Sequence, residues 1–248
     1  MPSELNRLAL RVVTPEPDQH GCSVEVRPII DDQDILAAAF EEGPAEDPRR
    51  LLASSSSPLM PSHEPREVRL AVAECTEGCC GAVYVSIKRE DDTVVWDNWR
   101  NPDGKLDLPP YRFDARQYEA EVRRAVADHS WEWPARTIAR LLEKSLQQQT
   151  QWLDQWQCEL GWVSALPSER DRVAVAFFHP CRPTGSAERP WLQFRHVLSV
   201  TDDAPDDQAE RMLRDLLRVD PRATGDLCGG SSEFARQLGY PWPERCRP

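Results

Sequence analysis

Lysine is scarce in this chain: Lys88, Lys105 and Lys144 are the only lysines among 30 basic residues, and the rest are arginine. That bias points to a GC-rich coding sequence and a bacterial source. No apolar run approaches the ~20 residues that span a bilayer as a helix. The opening Met1-Pro2-Ser3-Glu4-Leu5-Asn6-Arg7 lacks the basic-then-apolar order of a secretory leader. A cytoplasmic protein is therefore expected. Positive charge is also in deficit, with 30 basic against 42 acidic residues and a net charge of −12; Met1 to Pro65 alone holds 5 basic and 12 acidic side chains. Such a surface repels phosphate backbones and anionic lipid, which excludes nucleic acid and membrane as partners and leaves a basic protein compatible. Phosphate-cradling and dinucleotide glycine motifs are missing, as are Gly-x-Ser-x-Gly and His-Glu-x-x-His. No catalytic and no cofactor-binding residue is assigned, and catalysis is neither indicated nor excluded.

What is present centres on Val68 to Trp99, which reads as three short strands joined by tight turns. Val68, Leu70 and Val72 point one way, and Ala71, Ala73 and Cys75 the other. Thr76-Glu77-Gly78 fits a three-residue hairpin loop with Gly78 at the position that needs positive φ. Cys75 and Cys79 should then sit opposite each other on one face, with Val83, Val85, Ile87, Val94 and Trp96 continuing it, while Cys80 points to the other.

Around this core, Leu5–Val13 and Cys22–Ile30 read as a hairpin, followed by a short helix through Ile35, Leu36, Ala39 and Phe40 behind the acidic cap Asp31–Asp34. Asn101 to Arg112 is irregular. Asp114 with Gln117 makes a capping-box-like start, and Phe113 can staple against Tyr118. A long amphipathic helix runs from Pro134 through Ile138, Leu142, Leu146, Leu153 and Trp156, and is expected to cover the small face of Ala71, Ala73 and Gly81. Three further strands (Leu160–Leu166, Arg172–Phe178, Trp191–Val200) precede helices at Ala209–Leu217 and from Ser232. Strand-strand-strand-helix-helix therefore occurs twice. The expected fold class is α+β, with largely antiparallel sheets and amphipathic helices packed on one side. Two domains, residues 1–158 and 159–248, are expected, unless both share one continuous sheet.

Cys75-x₃-Cys79, followed at once by Cys80, falls within the spacing of a zinc half-site, so Cys75, Cys79 and Cys80 are the candidate metal ligands and zinc the candidate ion. A closed zinc site needs four ligands, and His63, Cys158, His179 or Cys181 would have to arrive from distant segments. Against this stands a structural reading, a cross-strand pair of small buried thiols, with redox or nucleophilic chemistry as the third choice. His179-Pro180-Cys181 reads as a turn after a strand, His196 as a sheet histidine and His129 as a helix cap. Cys228-Gly229-Gly230-Ser231-Ser232 reads as a turn before a helix. Cys22 and Cys246 read as small hydrophobes. Nine tryptophans are mostly core candidates, but Trp99, Trp131 and Trp133 lie in or beside loops and are the candidate contact residues for another protein.

Cys75–Trp99, with Phe113-Asp114-Ala115-Arg116-Gln117-Tyr118, resembles uncharacterised bacterial proteins in which a cysteine-bearing hairpin leads to a Val-x-Trp strand and a Phe-Asp-x-x-Gln-Tyr helix start. The resemblance covers less than a third of the chain. It implies the strand–strand–helix order and brings no activity. The functional expectation is a non-catalytic intracellular interaction or regulatory protein, in the manner of an immunity protein, using an acidic, tryptophan-containing face. The alternative is a zinc-dependent protein or enzyme built on Cys75, Cys79 and a remote His or Cys.

Overall fold

The computed structural model describes residues 5–17, 23–41, 43–53, 57–75, 77–104, 106–180 and 189–243. Cys22, Thr76, Cys181 and Cys246 lie outside the described residues. The chain is α+β, as expected, and forms two compact units, Met1–Trp131 and Glu132–Pro248.

The first unit contains β1 (Leu8–Val13), β2 (Glu25–Ile30), β3 (Gln33–Asp34), α1 (Ile35–Ala39), α2 (Pro48–Leu51), β4 (Arg66–Val72), α3 (Glu77–Cys80), β5 (Ala82–Glu90), β6 (Thr93–Arg100), β7 (Tyr111–Asp114) and α4 (Ala115–Ala127). β1, β2 and β3 form one antiparallel sheet, and β4 to β7 a four-stranded meander. Backbone hydrogen bonds join the two sheets at both margins. Asn6 N–H donates to Arg112 C=O beside β7, while Val26 donates to Glu46 and Glu46 to Leu70 beside β4. The pairing thus runs as a ring around a common core. Period-two alternation fills its inside, with Leu8, Leu10, Val26, Ile30, Val68, Leu70, Val85 and Ile87 all buried.

The helix starts follow from short polar side chains. Asp34 accepts the N–H groups of Leu36 and Ala37 at the start of α1, and Asp114 accepts that of Gln117 at the start of α4. Phe113 and Tyr118 pack with ring centroids 5.5 Å apart, as the staple requires. The other half of the capping box is not made: the Gln117 amide donates to Leu8 C=O instead. Behind this start Trp96 Nε1 donates to Tyr118 Oη at 3.0 Å, and Tyr118 donates to Leu59 C=O at 2.8 Å. Both aromatic side chains are fully buried, so this relay satisfies polar groups that water cannot reach.

The second unit contains α5 (Pro134–Gln147), α6 (Thr150–Gln155), β8 (Glu159–Ser164), β9 (Arg172–His179), β10 (Leu192–Ser199), α7 (Pro205–Leu216), α8 (Pro221–Thr224), β11 (Asp226–Gly230) and α9 (Ser232–Gln237). Its antiparallel sheet has the order β11-β10-β9-β8. α5 lays Ile138, Ala139, Leu142 and Leu146 against β8, β9 and α7. This corrects two expectations. The helix expected over the Ala71–Gly81 face packs on the sheet of its own unit, and the division falls before Glu132 rather than after Cys158, because α5 belongs to the sheet that follows it. The expected single long helix is also two, α5 and α6, parted within the glutamine run. Each four-stranded sheet holds a strand that was read as irregular, β7 in one and β11 in the other.

Candidate metal centre

The cysteine turn closes between β4 and β5. Ala73 N–H donates to Gly81 C=O at 3.0 Å, and Val72 pairs with Ala82 beside it. Within that closure the chain makes one helical turn, α3, not the three-residue loop read from the sequence. Gly81 N–H donates to Glu77 C=O at 3.1 Å, and Gly81 takes φ +89°. A left-handed glycine directly after a short helix terminates it and satisfies its carbonyls. The positive-φ glycine is therefore Gly81 and not Gly78. The misplacement has a plain cause: Cys79-Cys80-Gly81 carries the helix-stop signal, but Glu77-Gly78 looks equally like a hairpin tip.

One helical turn changes where the thiols go. Cys75 and Cys79 are exposed rather than a buried cross-strand pair, and Cys80 does not point away. All three sulfurs lie within 4.8 Å of one another, with Cys80 Sγ 3.7 Å from Cys79 Sγ. Cys80 is half-buried and packs against the core of the first unit, so the cluster is anchored on one side and open on the other. Hydrogen bonds to Cys75 and Cys79 push the Cys80 thiol up to about 12. Losing that proton would place a negative charge beside two other sulfurs in hydrogen-bond contact with it.

The turn is braced by side chains that sequence reading passed over. The Glu77 carboxylate accepts the Tyr84 hydroxyl at 2.8 Å and lies 3.5 Å from the Arg69 guanidinium, which also pairs with Glu46. Arg100 stacks over the Tyr84 ring, 4.1 Å from its centroid, and forms a two-pronged pair with Glu67, both distances 2.9 Å. Asn101 Oδ1 accepts the N–H groups of Ala82 and Asp103, at 3.2 and 3.1 Å. These contacts fix α3 to β4, β5 and the end of β6.

The other candidates sit elsewhere. Trp133 is buried, and Trp99 and Trp131 are half-buried, each donating its indole N–H to a backbone carbonyl, of Pro109 and Asp128 respectively, at 2.9 Å. All nine tryptophans are buried or half-buried. His196 lies inside β10 with Nε2 2.8 Å from Pro221 C=O, a sheet histidine as read. His179 ends β9, buried, with Nδ1 3.0 Å from Gln157 C=O and Nε2 3.3 Å from Arg222, itself held by Asp220. Burial lowers the pKa of both histidines, and Arg222 adds to the effect at His179. The α4 C-cap position is Asp128 rather than His129. Among the described residues no His, Asp or Glu joins the sulfur cluster, and no helix is long and apolar enough to cross a membrane.

The three thiols lie within 4.8 Å of one another, one half-buried against the core and two exposed, and make a soft donor set. No family model, curated protein or solved structure matches this chain.

Proposed function

We propose that the chain binds a single thiophilic ion through Cys75, Cys79 and Cys80, zinc being the ion that the Cys-x₃-Cys spacing first suggests. The observation that carries this reading is the convergence of the three sulfurs within 4.8 Å on a turn braced by Glu77, Tyr84 and Arg69. Deprotonated thiolates are the metal ligands, so an ion that binds displaces the protons the cluster shares. The competing reading, an acidic interaction protein, keeps the net charge of −12 as its support. Its contact tryptophans, however, are packed into the fold or tied to backbone carbonyls.

Reconstitution of the reduced full chain, followed by desalting and elemental analysis, tests the proposal. One ion per chain is expected, lost in Cys75→Ser, Cys79→Ser and Cys80→Ser and retained in Cys228→Ser. Equal retention in all four variants, or a protein that co-purifies with a basic partner and holds no ion, would replace this reading with the competing one.

A further inference from the structure

Resting on that reading, we infer that the site is built for a three-coordinate, all-sulfur ion of the trivalent arsenic class rather than for zinc. The donor count comes first. The cluster offers three sulfurs, and among the described residues no histidine or carboxylate joins them, whereas a closed structural zinc site takes four ligands. Glu77, which lies within the turn itself, is turned to Tyr84 and Arg69. A trivalent arsenic centre bonds three sulfurs and carries a lone pair where a fourth ligand would stand, so three donors complete it.

Charge points the same way. The turn Glu74-Cys75-Thr76-Glu77-Gly78-Cys79-Cys80 has two acids and no basic residue, in a chain of net charge −12. Three thiolates around a zinc ion leave a net −1 there. Arsenous acid instead reacts as a neutral molecule with three neutral thiols. Three As–O bonds break and three As–S bonds form, and each thiol proton leaves with a hydroxide as water. No electron moves and no charge accumulates. Spacing permits the closure: sulfurs placed about 2.3 Å from one centre lie roughly 4 Å apart or less, and Cys79 and Cys80 are already 3.7 Å apart. Exposure of Cys75 and Cys79 admits the reagent directly from solvent.

The test titrates the reduced full chain with arsenite and, separately, with zinc, reading intact mass, residual thiols and competition between the two. One arsenic per chain with three thiols consumed is expected, along with displacement of zinc by arsenite. Serine at any of the three cysteines should weaken arsenite binding by more than the roughly 100-fold that marks the upper end for losing an outer-shell partner. Glu74→Gln, at the exposed acid of the same turn, should leave it unchanged. Consumption of two thiols, zinc resisting displacement, or a loss in Glu74→Gln equal to that of a cysteine variant would overturn the three-coordinate inference while leaving an ion site in place. Failure to bind either ion would overturn both readings.

Discussion

Replacing Gly81 by alanine perturbs the cysteine turn most sharply while leaving every thiol in place. Gly81 holds φ +89°, and an L-residue forced into the left-handed region costs roughly 1–2 kcal/mol through crowding of Cβ against the carbonyl. The new Cβ would lie 2.0 Å from Asn101 Oδ1, so the amide must move. Its hydrogen bonds to Ala82 and Asp103 N–H are then lost, at roughly 0.5–1.5 kcal/mol each. The two effects together predict a loss of about 2–5 kcal/mol. Gly78→Ala is the matched control. Gly78 is not among the positive-φ glycines, and nothing lies within 4 Å of its ideal Cβ. Alanine there should be neutral or stabilise by about 0.4–1 kcal/mol. Urea unfolding followed by tryptophan fluorescence, with midpoints compared at constant slope, reads both. If Gly78→Ala proves the costlier change, the reversal is the three-residue loop suggested by the sequence and the helical turn is refuted.

Tyr118→Phe keeps the core volume but strands the Trp96 indole N–H, and should cost about 1–3 kcal/mol in the same assay; a loss under about 0.5 kcal/mol would deny the buried relay its role. Asp114→Ala removes the α4 cap and should cost about 1 kcal/mol, with Asp114→Ser recovering most of it; equal losses in both variants would refute the cap. His179 and His196 have folded pKa values below the ordinary one, first through burial. Their contribution is therefore complete above the unfolded value of about 6.5 and is lost as pH falls from there through the lowered folded values. The thermal midpoint should drop between about pH 7.5 and pH 5.5, and His179→Gln and His196→Gln should each flatten the slope; a flat profile in the unsubstituted chain would contradict it.

The sheets were legible where one face is buried. Val68 and Leu70 alternate, as do Val85 and Ile87, and all four are buried. The expectation that put the two pairs on opposite faces is corrected, because Val68 pairs directly with Val85 and a register shift between Arg69 and Ala71 buries both Leu70 and Ala71. The Asp114 cap and the Phe113–Tyr118 staple were legible because caps are local chemistry, read over four or five residues. What the sequence hid was non-local or locally ambiguous. β7 and β11 are short strands that exist because a neighbour offers hydrogen bonds, and neither shows alternation of its own. The ownership of α5 was hidden because an apolar stripe says that a helix packs, not on what. At the candidate site, Cys75, Cys79 and Cys80 were singled out together and their sulfurs do lie together, yet their orientation was not legible. A single choice between Gly78 and Gly81 as the left-handed residue decides whether Cys80 faces its neighbours or turns from them. The braces Glu77, Tyr84, Arg69 and Arg100 were missed because they meet across β4, β5 and β6.

X-ray absorption at the edge of the bound ion, on the reduced and arsenite-loaded chain, counts the atoms that touch it. Three sulfur neighbours, falling to two when Cys75, Cys79 or Cys80 is changed to serine, is the predicted result. A shell of oxygen or nitrogen, or a sulfur count unaffected by those substitutions, would contradict a centre made by these three side chains.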